Sequence, residues 1–276
     1  LYYAACYASL SEAQRRQYNQ LTALCFNELI ALFEQSFASS VLAAMATAGG
    51  RDVDDALVDC LNGFLRDEQL HIGYWRDLNR ATAPEAYAGR DRWIVRFSPW
   101  ALRGLRWLTA RPLRFPAVFW VMLALEERSL EISRRCLAME EDEMEPRYRA
   151  VYQHHLRDEV RHVELDRHLI ERFYAPLPLY WRRANARLLR GMIGRFFLPP
   201  TRSAVQVVRR LVKTCPELAS QLPTFERELR EVGANREYVA MMYSRNSTPL
   251  TFAMFDRFPE MRGMQQAISS YCPAAS

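Results

Sequence analysis

One seven-residue phrase occurs twice in this 276-residue chain. Leu65-Arg66-Asp67-Glu68-Gln69-Leu70-His71 is matched by Leu156-Arg157-Asp158-Glu159-Val160-Arg161-His162, and the match runs on through Arg76 with Arg167 and Leu78 with Leu169. In a helix, positions i and i+3 share a face, so each Glu-x-x-His aims one carboxylate and one imidazole at the same spot. Two such helices facing each other bring two glutamates and two histidines to a common centre. This requirement limits the architecture to a bundle that holds sequence-distant helices in register.

The rest of the pattern agrees. Half of the residues are hydrophobic, glycine is sparse, and Leu, Ala, Glu and Arg, all good helix formers, are abundant. A long helix is expected from Ser11 to about Thr47, capped by Ser9 or Ser11 and broken by Ala48-Gly49-Gly50-Arg51. A second runs from about Val53 to Arg80. A proline-bearing connector follows, with a short helix from Pro99 to about Thr109. Pro116 opens a third long helix ending near Met139, and a fourth covers about Arg147 to Tyr174 before Pro176 and Pro178. Shorter helices continue to about Phe258, then a loosely ordered tail. The expectation is an all-α chain with a four-helix bundle core at about 11–174, a helical cap at about 178–258, and one domain over 1–276.

Two further carboxylates are needed from the other two helices. In an antiparallel hairpin, residues at one level are equidistant from the turn. Glu34 and Glu68 each lie 17 residues from Arg51. Glu28 sits about 9 Å further along the axis at 1.5 Å per residue, and is the fallback. Counting back from Glu159 across the second turn reaches Glu126 or Glu127. Glu126 shares the line of Phe119, Leu123, Leu130 and Leu137. An acid on that apolar stripe is costly unless it is paired or binds a cation, so Glu126 is preferred over Glu127. His155, one turn before Glu159, shares its face and His162's. The expected metal ligands are therefore Glu34, Glu68, His71, Glu126, His155, Glu159 and His162. Asp67 is expected to orient His162, and Asp158 to orient His71, because metal-bound histidines donate their far N–H to a carboxylate. His154 and His168 fall off this face. Oxygen ligands mixed with imidazole suit iron, with manganese as the other metal.

The net charge of +5 is carried almost wholly by arginine; Lys213 is the sole lysine. It reads first as compositional bias, and no interleaving of aromatic and basic residues points to nucleic acid. Cys6, Cys25, Cys60, Cys136, Cys215 and Cys272 form no C-x-x-C pair and are expected to be reduced, buried thiols of a cytoplasmic protein. The longest apolar run, Phe115 to Leu125, is shorter than the roughly 20 residues that span a bilayer, so no membrane association is expected. No signal peptide is expected at Leu1.

The paired D-E-x-x-H motifs resemble those of the ferritin-like di-iron oxygenases. The H-x-x-x-E-x-x-H run at His155, Glu159 and His162 is similar to that of the p-aminobenzoate N-oxygenase (AurF-like) family, over about Tyr18 to Phe197. The resemblance implies two iron ions held by the seven residues above, O2 as co-substrate, and oxidation of a small-molecule amine to hydroxylamine and nitro products. A di-iron C–H hydroxylase or desaturase and a non-enzymatic iron-binding protein are the alternatives. An external electron donor, a ferredoxin or flavin reductase, is implied as well, and homodimers are common in such bundles.

Overall fold

The computed structural model describes residues 1–48, 53–194 and 201–273. After a short α1 (Ala5–Ala8), α2 (Glu12–Phe33) starts at Ser11, whose side chain accepts from Gln14 N while Gln14 reaches back to Ser11 N. This reciprocal box satisfies two of the helix's orphan N–H groups. α2 passes through a π-helical turn, Glu34–Ala38, into α3 (Ser39–Thr47). α4 (Asp55–Thr82) is capped by Asp54, which accepts from Leu57 N at 2.9 Å. α5 (Pro99–Thr109) and α6 (Ala117–Leu137) follow, then α7 (Pro146–Leu169), which ends in a second π-helical turn, Ile170–Tyr174. Proline at the first position of α5 and α7 occupies a site where no N–H is needed. α8 (Leu179–Met192), α9 (Thr201–Thr214), α10 (Leu222–Glu231), α11 (Arg236–Met242) and α12 (Pro249–Arg257) complete the helices used below. No strand occurs among the described residues.

The α2–α3 rod packs on α4, α6 packs on α7, and α4 meets α7 to close a four-rod bundle. α6 is its central member. Every residue from Ala117 to Glu127 is buried, which explains why this stretch is apolar all round rather than striped. α9 covers the outer side of α2 and α10 packs on α9, so that Leu21, Leu24, Cys25, Val208, Leu211 and Phe225 belong to one apolar cluster. α8 and α12 cover α6, and Trp120 stacks on Phe255 with ring centroids 5.5 Å apart.

Three expectations are corrected. The C-terminal tail is packed as far as Tyr271: Met261, Met264, Ile268 and Tyr271 are buried at helix-like spacing, and the Tyr271 hydroxyl donates to Asp256. The cysteines are all free, but Cys60 and Cys272 are exposed, because each lies on the solvent side of its segment. Glu12–Thr47 is long and apolar enough to cross a membrane, a stretch the run-length criterion overlooked because polar residues interrupt it. It is instead a bundle rod carrying two buried glutamates. Gly49, Gly50 and Arg51 of the expected breaker, and residues 195–197 at the end of the span of resemblance, lie outside the described residues.

Candidate metal centre

All four rods send acids or imidazoles to the bundle axis. Glu34 comes from the first residue of the π-helical turn between α2 and α3, Glu68 and His71 from α4, Glu126 from α6, and His155, Glu159 and His162 from α7. None is more than 3% exposed. Their donor atoms form two clusters, each with its atoms within 4.8 Å of one another: Glu34, His71 and His155 in one, and Glu68, Glu126, Glu159 and His162 in the other.

Two carboxylates tie the clusters together. Glu68 Oε1 lies 3.7 Å from His71 Nδ1 and 3.5 Å from His162 Nδ1, and Glu159 Oε1 lies 3.7 and 3.6 Å from the same atoms. Each carboxylate therefore stands between two imidazoles belonging to different clusters. His155 Nε2 approaches Glu159 Oε1 at 3.0 Å and Glu34 Oε1 at 3.5 Å.

The inward-facing atoms lack hydrogen-bond partners. Glu34 Oε2, both oxygens of Glu68 and of Glu159, Glu126 Oε1, His71 Nδ1, His155 Nε2 and His162 Nδ1 are all buried and unsatisfied. Buried polar atoms are nearly always paired, and nine orphans around one space are a donor set that fits cations. The outward-facing atoms are satisfied. His71 Nε2 lies 3.0 Å from Asp158 Oδ2, His162 Nε2 lies 3.3 Å from Asp67 Oδ2, and His155 Nδ1 lies 3.3 Å from Ser133 Oγ. Arg161 bridges Asp67 and Asp158 at 3.2 and 2.7 Å. With its far nitrogen donating to an aspartate, each of His71 and His162, in its neutral form, turns the lone pair of its inner nitrogen to the centre.

The charges are as tense as this geometry implies. Burial, reinforced by Glu34, holds the Glu68 carboxyl well above its usual range, and burial with Glu159 does the same to Glu126. Burial also opposes charge on Glu159, but His155 and His162 outweigh it and hold Glu159 well below. For His155, burial is overcome by the Glu159 and Glu34 carboxylates, which push the imidazole up to about 10. For His162, Asp67 and Glu159 overcome burial and push it up to about 9. Without cations, protons hold the cluster together.

The two repeats are not equivalent in their surroundings. Phe64 occupies in α4 the place of His155 in α7, and it stacks on His162 with ring centroids 3.6 Å apart. Trp75 occupies the place of Asp166, and its indole N–H donates to Glu34 at 3.1 Å. Asp166 is wholly buried with both oxygens unpartnered, and burial beside Glu68 and Glu159 raises its pKa well above the usual range. Sequence reasoning missed Ser133, Trp75 and Asp166. The available signal was spacing: Ser133 lies seven residues after Glu126, and Trp75 and Asp166 lie seven after Glu68 and Glu159.

The two alternative glutamates are engaged elsewhere. Glu28 accepts from the backbone N–H groups of Trp93, Ile94 and Val95 and from the Tyr87 hydroxyl. Glu127 accepts from Leu250 N and Thr251 N at 2.6 and 2.7 Å, at the start of α12. His154 and His168 are exposed.

A strand-free four-rod bundle with carboxylates and imidazoles converging from every rod defines the ferritin-like di-iron class, which is all-α. Within that class, the chain belongs to the p-aminobenzoate N-oxygenase AurF family, whose sequence model matches residues 1–242. No curated protein and no solved structure matches the chain.

Proposed function

We propose that the protein is an O2-activating, non-haem di-iron oxygenase that oxidises a small-molecule amine to hydroxylamine and nitro products. The observation that carries the reading is the set of nine unsatisfied donor atoms around one buried space, in a chain of an oxygenase family. In this proposal Glu34, His71 and His155 would hold one iron, and Glu68, Glu126, Glu159 and His162 would hold the other. The two ions, when bound, supply the redox chemistry that activates O2.

The chain's own residues set that chemistry. Asp158, Asp67 and Ser133 fix the ring orientations of His71, His162 and His155. Trp75 holds one oxygen of Glu34 and leaves the other free, so this carboxylate has a defined resting position. The walls of Phe64 and α6 keep bulk water from the centre. Electrons are returned by an external ferredoxin or flavin reductase, and the protein works in the cytoplasm.

The test is anaerobic reconstitution with Fe(II), followed by O2, a reductant and a panel of arylamines. The proposal expects about two irons per chain and nitro or hydroxylamino products by mass spectrometry. Two irons with C–OH or C=C products instead assign C–H hydroxylation or desaturation. Iron mineralisation without turnover assigns iron storage. Manganese substitution tests the metal: activity with manganese alone refutes the iron assignment.

A further inference from the structure

Away from the bundle axis, the outer face of α2 and the segment 90–97 enclose a cleft of about 600 Å³. Its floor is the stripe of Glu28, Ala31 and Leu32 from α2 with Gln35 from the π-helical turn, and its rim carries Arg76, Arg90, Arg92 and Arg96. A second hollow of about 440 Å³ adjoins it, sharing Arg96 and Phe97 and adding Arg202, Arg209 and Arg230.

The acids available here do not balance these cations. Glu28 lines the cleft, but its oxygens are occupied by the Tyr87 hydroxyl and three backbone N–H groups, which anchor the segment 93–95. Asp91 is shared between Arg76 and Arg80 at 3.0 and 2.9 Å. Glu226 is shared between Arg209 and Arg230. Among the described residues, Arg90, Arg92, Arg96 and Arg202 have no acidic partner. Nearby, Arg210 lies on the Trp93 ring with its carbon 3.8 Å from the centroid. Its pKa is lowered, chiefly by burial and further by the charges of Arg96 and Arg90.

We infer that this double cleft is a binding site for a small phosphate-bearing ligand, with guanidinium groups from the segment 90–97, α4 and α9 as its anion donors. Phosphate matches the chemistry best. Guanidinium forks bind its oxygens in pairs, and several uncompensated cations in one hollow call for a ligand of multiple negative charge. The volume suits a small molecule, whereas an acidic protein would meet a flatter surface. Phe97, common to both hollows, offers an apolar face for the rest of the ligand. The site also touches the wall of the metal centre. Gln35 follows Glu34 and accepts from Arg76 at 3.0 Å, and Arg76 follows Trp75, which donates to Glu34. The inference stands on its own whether or not the metal reading holds.

Inorganic pyrophosphate is the probe, titrated by calorimetry at low ionic strength into the full chain as purified. Saturable binding of one equivalent is expected. The double variant Arg92→Gln/Arg96→Gln, whose side chains are exposed and whose fold is checked by circular dichroism, should bind about tenfold more weakly or worse. The variant Arg103→Gln/Arg106→Gln removes the same charge from α5, outside the cleft, and should leave binding intact. Equal loss in both variants would show a general charge effect and overturn the site. So would no saturable binding below about 1 mM. Tight binding of a poly-glutamate peptide, with none of pyrophosphate, would also overturn it, assigning this face to an acidic protein.

Discussion

The side chains around the centre differ in what a single change should cost. Asp158 and Asp67 each meet the far nitrogen of one histidine, so Asp158→Asn or Asp67→Asn should leave the fold intact while weakening metal affinity about 10–100-fold, read by chelator competition. Asp166 behaves differently. It is buried without a partner, and burial favours its neutral form, which Asn matches in shape. Asp166→Asn should bind two metals and destabilise the chain in urea by no more than about 1 kcal/mol. A stoichiometry below two would instead make Asp166 an ionised ligand. Titration gives a third expectation. Folded, metal-free His155 and His162 hold protons up to about 10 and about 9, and a cation must displace them. Loading at pH 7 should therefore release protons, measurable by pH-stat, and affinity should rise with pH through this range. The reason these residues were legible in sequence is their repetition. Glu68, His71, Glu159 and His162 stand out because one phrase encodes them twice, and His155 because it adds a turn to that phrase. Ser133 and Asp166 were harder to read: their spacing places them on the ligand faces, but a lone polar residue on a helix is usually solvated, and the packing decides.

At the scale of elements, hairpin counting from loop positions led to Glu34 and to the pair Glu126 and Glu127, and helical phase chose Glu126. It assumed regular helices, and the π-helical turn that begins at Glu34 breaks that assumption. Such turns widen a helix locally and are frequent at functional sites. No composition signal in Glu-Gln-Ser-Phe-Ala announces one. The competing glutamates show the same limit. Glu28 and Glu127 are buried too, yet they serve backbone elsewhere: Glu28 the segment 93–95, which sequence reading left unplaced, and Glu127 the first turn of α12. Their role predicts their mutants. Glu127→Ala strands two buried backbone N–H groups and should destabilise the chain by about 2 kcal/mol or more in urea. Metal stoichiometry should stay at two, because Glu127 points away from the centre. Loss of metal in this variant would return Glu127 to the ligand set.

For the whole molecule, the centre is a local defect that the proposed cations would repair. The bundle is built around an axis where, without metal, like charges crowd and buried atoms go unsatisfied. Removing metal should therefore lower stability. Free metal at a hundred times its dissociation constant contributes about 2.7 kcal/mol, so a chelator should reduce Tm by several degrees, on the order of 5–10 °C. The pH dependence of the metal-free form follows from Glu68. Its folded pKa lies above the unfolded value, so the stability present at low pH is lost as pH rises through the folded value. His155 and His162, also raised, act in the same direction at higher pH. Glu68→Gln fixes that position in its neutral form. This variant should be at least as stable as the parent in chelator, should lose less stability between pH 5 and pH 8, and should gain less from added Fe(II), because a carboxylate of the proposed ligand set has become a neutral amide. Thermal scans of both proteins, with and without metal, separate these outcomes. If Glu68→Gln kept the full metal-dependent rise in Tm, Glu68 would be a packing residue, and the two clusters would not share it.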